Sequence, residues 1–518
     1  MRHPIVTALL ALAACSSAPR VPMPAPIAAP SGEITAVELR GDLLAFSNDS
    51  MRGRETGTED ATRAAQFLAS RVQRLGLEPA GDSMFLQRVP LQRESFTAAS
   101  QIVVEERGGS KALRIGTDVV PLMNLGPGVP PTKRRAEGEI VFVGYGVSMK
   151  KPKRDDLAGL DLEGKIVVVL NGAPEGTDSA TRATMEAETA ISGRLAQILP
   201  MRPAAVVVLL AGKGSAIFDN LAPELTRAVT ARTTSAEIPE SERQLPMILL
   251  GVPRVGSPLL PSGWPADDRP QVLAGRRLVA RVAQERAPFT AYNVVAIVRG
   301  SDPSLRSTYV ALGAHYDHIG VVAPVNGDSI ANGADDDGSG TVSLLAIARE
   351  LQQSAVKPKR STLFVWHVGE EKGLLGSAHF TEHPTVPIDS IVAQLNADMI
   401  GRNAPSLLYT VGPKAAPNGQ SKRLGAIVDS VNATEASPFV INREWDSATH
   451  PEHIYERSDH FNYARKGIPI VFFTTGLHDD YHKPSDDPSK IDYDKLARVA
   501  RLIRDVAVTV GNSVVRPR

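Results

Sequence analysis

Three carboxylates stand in a row in "NGADDDGSGT", residues 332–341, where Asp335, Asp336 and Asp337 lie between glycines, directly before an apolar run. Adjacent carboxylates repel, and each resists ionising beside the others. Two arrangements relieve this: a solvated turn, or a bound cation that converts repulsion into attraction. Residues of related chemistry recur at wide spacing: His315 and Asp317 in "AHYDHIG", Glu370 and Glu371 in "GEE", Asp398 in "NADMIG", and Tyr481 and His482 in "YHKPSDD". Taken singly, each also reads as structure: a loop polar, a carboxylate favoured by a helix dipole, or a strand cap. Taken together, imidazole and carboxylate donors form a set that suits Zn²⁺, and the lack of Cys partners argues against a structural thiolate site. Of the eleven histidines, one is His3 and the other ten lie between His315 and His482, so histidine-dependent chemistry belongs to the C-terminal part of the chain.

Residues so far apart converge only if a regular scaffold carries them. "TYVALGAHYD", "STLFVWHVGEE", "IVAQLNADMIG" and "IPIVFFTTG" are near-continuous apolar runs, and "AYNVVAIVRG" (291–300) precedes them. They alternate with helical patterns in "TVSLLAIARELQQS", "SKRLGAIVDSVNA" and "YDKLARVARLIRDVAVTVGN". Strands buried on both faces imply an α/β sheet covered by helices, a three-layer α/β/α arrangement. His315, Glu370 and Asp398 fall where strands end, the edge at which such sheets bind ligands.

Upstream, helices are expected over 33–46 and in "ATRAAQFLASRVQRLGLEPAG", with Gly76 as a stop. Strand-like pieces follow at 100–105 and 118–123. From about 125 to 285 short Val/Ile runs alternate with Gly/Pro/Asp loops and carry no histidine, which predicts an inserted β-rich domain without chemistry of its own. The expected organisation is 33–124 as the N-terminal part of a catalytic domain, 125–285 as the insertion and 286–518 as the rest of the catalytic domain.

The chain has 518 residues, and its 57 basic residues equal its 57 acidic ones, so no net field points to nucleic acid or an anionic membrane. The single cysteine, Cys15, excludes an intrachain disulfide. Arg2, an apolar run over 5–14 and "LAAC" (12–15) describe an export signal too short to span a membrane as a mature helix. "LAAC" also resembles a bacterial lipobox. We therefore expect residues 1–15 to be a lipoprotein signal, residues 16–32 a Pro/Ala-rich tether, and the only membrane attachment a lipid anchor at Cys15.

"GAHYDHIG", "GADDDGSGT", "GEEKGLLGS", "LNADMIG" and "YHKPSD" resemble, in order, five motifs of the two-zinc exopeptidase family. That family includes secreted bacterial leucyl aminopeptidases, glutamate carboxypeptidase, glutaminyl cyclase and the transferrin receptor. "GRETGTEDATRAAQFLASRVQRLGLEPAG" is similar to the lead-in of its longer bacterial members. "GYGVSMKKPKRDDLAGLDLEGKIVVVLNG" resembles the protease-associated domain inserted in several exopeptidases. The resemblance implies that His315 and Asp398 hold one zinc, Glu371 and His482 the other, and that Asp336 bridges them. Co²⁺ or Mn²⁺ could occupy the same donors. It further implies that Asp317 orients the His315 ring, that Glu370 is the general base, and that Tyr481 assists the developing oxyanion. From the same resemblance Asp337 is expected to accept supporting hydrogen bonds, the peptide after Asp336 to be cis, as is frequent in the family, and Asp335 to be the most dispensable of the three. His460 matches a recurrent motif and is expected beside the metals or the substrate. His318, His367, His379, His383, His450, His453 and His478 are expected to be structural or solvated.

The implied activity is removal of N-terminal residues from peptides. A carboxypeptidase acting on acidic C-terminal residues would need an arginine cluster, for which Arg402, Arg443 and Arg457 are the candidates. Glutaminyl cyclase chemistry needs one zinc, and receptor-like members lose ligands, whereas all five matched ligand positions and Glu370 are kept here.

Overall fold

The computed structural model describes residues 33–517 apart from 124–130, 188, 234–239, 448, 451 and scattered positions between 213 and 228. The expected export signal, tether and Cys15 lie outside the described residues. No described helix is long and apolar enough to cross a membrane.

Two compact units are present. The larger combines Pro288–Arg518, Thr230–Thr233 and the described residues up to Gln92; the smaller combines Arg93–Val229 and Thr234–Ala287. In the larger unit a central sheet contains β1 (Gln284–Val298), β2 (Tyr309–His315), β3 (Ser361–His367), β4 (Ile391–Ala397) and β5 (Ile470–Thr474). Their spatial order is β1–β3–β2–β4–β5. β1 runs antiparallel to β3, while β3, β2, β4 and β5 pair in parallel. Successive side chains of a strand point to opposite faces, and here both faces are buried. Val310, Leu312 and Ala314 join one core with Phe364 and Trp366; Tyr309 and Ala311 join the other with Leu363 and Val365. The first core is closed by α1 (Ala36–Phe46), α2 (Glu59–Arg74), α3 (Gly340–Gln353) and α4 (Tyr493–Asn512). Phe380 and Tyr463 help close the second. The expected three-layer α/β/α sheet is therefore present. Within it β2, β3 and β4 end at His315, His367 and Ala397.

The smaller unit has its own sheet of eight strands among the described residues. Ile166–Asn171, Ala205–Leu210 and Met247–Gly251 pair in parallel at its centre. Ile166, Val168 and Leu170 face one apolar cluster, Val167 and Val169 the other. This unit begins near residue 93, not 125 as the sequence suggested. The physical reason is pairing: Gln101–Arg281 through Glu105–Arg277 form an antiparallel register, and Val119–Pro121 pairs with Leu249–Gly251. The unit ends at Ala287.

Candidate metal and catalytic site

β2 delivers His315 fully buried, and three contacts fix it. Its main-chain N–H donates to Asp337 Oδ2 (3.1 Å), Nδ1 lies 3.0 Å from the Asp317 carbonyl, and Nε2 points into a group of carboxylates. Asp336 Oδ1, Asp398 Oδ1 and Glu370 Oε2 stand 3.1, 3.6 and 4.0 Å from that nitrogen. The other oxygen of Asp336, Oδ2, is 3.1 Å from His482 Nε2, which is also 3.1 Å from Glu371 Oε2. Asp336 thus presents one oxygen to each of two imidazoles, and the Asp336–Asp337 peptide is cis.

Each donor is braced. Asp398 follows β4, and its Oδ2 accepts from the Ser458 hydroxyl (2.7 Å), which accepts in turn from Asn396 Nδ2 (2.9 Å). Asp337 Oδ1 accepts from the main-chain N–H groups of Gly340 (2.9 Å) and Met399 (3.3 Å). With its second oxygen on the N–H of His315, the Asp337 carboxylate is committed to backbone donors. Asp336 Oδ2, Glu371 Oε1 and His315 Nε2 are instead buried without a well-formed hydrogen bond. Buried polar atoms left in this way are costly unless a partner satisfies them. A divalent cation with nitrogen and oxygen ligands would do so, and the donor chemistry fits zinc.

Electrostatics sharpen the contrast between neighbours. Burial pushes Glu370 well above the usual carboxylate range, His315 opposes the shift, and Glu371 and Asp398 add to it. Burial also acts on Glu371, but His482 and His318 outweigh it together with the opposing charge of Asp336, and hold Glu371 near 2. Asp336 is likewise kept well below its ordinary value against burial, by His318, His315 and His482. One of two adjacent glutamates is thereby made basic and the other a fixed anion, the division of labour expected of a proton acceptor beside a ligand.

Several placements depart from expectation. Asp317 orients His315 through its main-chain carbonyl; its carboxylate stands 3.9 Å from Nδ1 and accepts instead from Thr56 Oγ1 (2.7 Å) and the Glu370 N–H (3.2 Å). The carboxylate is turned away because these two donors align with it. Asp335, expected to be dispensable, is fully buried: Oδ1 accepts from Gly401 N–H (2.7 Å) and Oδ2 faces His478 Nε2 at 3.3 Å. His318 joins the site, with Nδ1 2.7 Å from Glu371 Oε1 and 3.7 Å from Asp336 Oδ2. His460 is buried behind the cleft-lining Phe472, on which its ring stacks, with its Nε2 2.9 Å from the Tyr455 carbonyl. Asp486, four residues after His482, was not anticipated; it accepts from the N–H groups of Asp335 and Asp336.

Asp336, Glu370 and Asp398 open onto a cleft lined on its apolar side by Trp445, Ile454, Phe472 and Leu477, and also by Arg457 and Tyr481. The Tyr481 ring stacks on His482 at 3.8 Å, and its hydroxyl accepts from Arg457 (3.3 Å). Arg402 binds Asp480 (2.7 Å) and Arg443 binds Asp429 (2.6 Å).

Residues 293–507 match peptidase family M28. Leucine aminopeptidase 1 of Trichophyton rubrum is 32% identical over 238 residues, 44% of this chain and 60% of that protein. Aminopeptidase Y of Saccharomyces cerevisiae is 28% identical over 234 residues, 43% of this chain and 39% of that protein. The chain thus spans no more than 60% of the length of these relatives. The solved aminopeptidase from Aneurinibacillus sp. strain AM-1 superposes with a TM-score of 0.52 at 19% identity, covering 94% of this chain and 95% of that one, which shows a shared fold.

Proposed function

We propose that this chain, whose residues 293–507 match peptidase family M28, is an exported zinc-dependent aminopeptidase acting on peptides. The observation that carries the reading is Asp336, whose two oxygens lie 3.1 Å from His315 Nε2 and 3.1 Å from His482 Nε2. His315 and Asp398 would hold one zinc, Glu371 and His482 the other, and Asp336 both. When bound, the ions supply the positive field that acidifies water and polarises a peptide carbonyl.

The chain's own residues do the rest. Glu370, whose Oε2 stands 4.0 Å from His315 Nε2, takes a proton from the attacking water and delivers it to the departing amine. Asp317, holding the Glu370 N–H, fixes the acceptor's main chain. Tyr481, whose hydroxyl is held by Arg457, donates to the carbonyl oxygen as it gains charge. The apolar wall of Trp445, Ile454, Phe472 and Leu477 takes an apolar N-terminal side chain. Of the three candidate arginines, Arg402 and Arg443 are paired with Asp480 and Asp429, which leaves Arg457 alone in the cleft and supports an aminopeptidase over a carboxypeptidase with an arginine cluster. The smaller unit is read as an inserted protease-associated domain, and Cys15 as the site of lipid attachment.

The test assays purified protein on aminoacyl-anilides and on N-blocked peptides, with zinc, after chelation, and as Glu370→Gln. Chelator-sensitive release from free-amine substrates is expected, with Glu370→Gln losing about 10²–10⁴ in kcat while retaining its zinc. Zinc-loaded protein that ignores every free-amine substrate yet removes C-terminal residues, or cyclises N-terminal glutamine, would overturn the assignment. Fatty-acid labelling lost in Cys15→Ser checks the anchor.

A further inference from the structure

The segment over residues 46–56 lies outside the family match, yet it touches both loops that carry site residues. Arg54 is fully buried and forms no ion pair with a carboxylate among the described residues. Its guanidinium donates to five oxygens instead: the carbonyls of Tyr316 (2.8 Å), Asn332 (2.8 Å), Gly333 (3.0 Å) and Phe46 (3.3 Å), and the Ser47 hydroxyl (3.4 Å). Tyr316 directly follows His315, and Gly333 lies three residues before Asp336. One rigid fork therefore ties the end of β2 to the turn bearing the three aspartates, a geometry a lysine ammonium cannot reproduce.

The fit around it is close. A Cβ on Gly53 would stand 2.5 Å from both the Ala331 and Gly320 carbonyl oxygens, and the Gly320 N–H donates to the Gly53 carbonyl at 3.0 Å. Two residues beyond Arg54, the buried Thr56 hydroxyl donates to Asp317 Oδ2 (2.7 Å), while Asp317 Oδ1 accepts the Glu370 N–H (3.2 Å). Thr56 thus reaches the main chain of the proton acceptor through a single carboxylate.

We propose that Arg54 and Thr56 are positioning residues of the catalytic site: Arg54 sets the spacing of the His315 and Asp336 loops, and Thr56, through Asp317, sets the position of Glu370. The inference rests on the zinc-peptidase reading, but its first readout, zinc affinity, does not depend on which substrate is cleaved.

The experiment measures zinc affinity by competition with a chromophoric chelator for the full chain, Arg54→Lys and Arg54→Gln, with folding followed by circular dichroism. Spacing and charge predict opposite signs. If Arg54 acts only as a positive charge, Arg54→Gln removes a repulsion and binds zinc more tightly, and Arg54→Lys matches the wild type. If it sets spacing, both variants bind more weakly, by about tenfold or more, as loss of outer supports to metal ligands commonly does. Tighter binding by Arg54→Gln, or wild-type affinity in Arg54→Lys, overturns the Arg54 role. Should neither variant fold, Thr56→Val and Thr56→Ser decide. Thr56→Val is expected to keep its zinc and its KM while kcat falls about tenfold, the scale of one charge-assisted buried hydrogen bond, and Thr56→Ser to restore kcat. A Thr56→Val kcat within twofold of wild type, or a loss that Thr56→Ser does not restore, refutes the Thr56 role. If wild type binds zinc but cleaves no free-amine substrate, the aminopeptidase reading fails while the zinc comparison still decides the clamp.

Discussion

At Asp335 the two carboxylate oxygens have separate tasks, one accepting the Gly401 N–H at 2.7 Å and the other facing His478 at 3.3 Å. Truncation to Ala strands the Gly401 N–H in the interior and removes the carboxylate facing His478, and Asp335→Ala is expected to lose about 1–3 kcal/mol of stability, read as a lower denaturant midpoint; an unchanged midpoint would contradict it. His460 allows a prediction in pH. Burial lowers its pKa to about 4, with the Tyr455 carbonyl and Asp459 opposing, whereas the unfolded chain titrates near 6.5. As pH falls the unfolded state takes the proton first. The stability present above pH 6.5 is therefore lost progressively down to about 4, and the full swing is about 3 kcal/mol. His460→Asn removes the titration and should flatten the stability profile across that window. An equally steep profile in the variant would assign the acid sensitivity to other groups.

Where α3 starts, the element itself is the constraint. A Cβ on Gly340 would lie 2.3 Å from the Ala397 carbonyl oxygen and 2.4 Å from Asp337 Oδ1, so the helix N-terminus rests directly on the end of β4 and on the carboxylate that holds His315. Gly340→Ala is expected to cost about 1–3 kcal/mol, as overpacking does, and to weaken zinc retention. Gly193, with open space where a Cβ would go and a place inside the helix Thr189–Ile198, is the control. There Ala should be neutral or stabilising by up to about 1 kcal/mol. Equal effects at both glycines would defeat the packing argument. Elements of this kind were legible in sequence when their pattern was local. β2 to β5 are apolar on both faces, and α4 begins where the side chain of Asp492 accepts the Lys495 N–H. What escaped was non-local. The boundary near residue 93 depends on strands Gln101–Glu106 and Val119–Pro121 pairing with partners more than a hundred residues away. His318 and Asp486 escaped for a related reason: a turn after β2 and a main-chain contact bring them to the site, and neither leaves a periodic signature.

Over the whole molecule, 57 basic residues balance 57 acidic ones, yet the balance is not local. Asp317, Asp335, Asp336, Asp337, Asp398 and Asp486 are all buried around one edge of the sheet, and Arg54 is the buried guanidinium among them. Water cannot screen such a concentration, so folding must work against its repulsion unless cations or protonated imidazoles offset it. A cation that binds only the folded chain stabilises it by mass action, by about 2.7 kcal/mol at a free concentration one hundred times Kd. Chelation should therefore lower the melting temperature as well as abolish activity. Stoichiometric Zn²⁺ should restore both, whereas Mg²⁺, which keeps to oxygen ligands and holds its water, should not. Calorimetry of the chelated, zinc-restored and magnesium-treated protein makes the comparison. A melting temperature that stays constant while zinc is shown to leave would mean that the chain's own cationic groups, Arg54 among them, balance the carboxylates unaided. The weight of the ion would then fall on the chemistry and not on the fold.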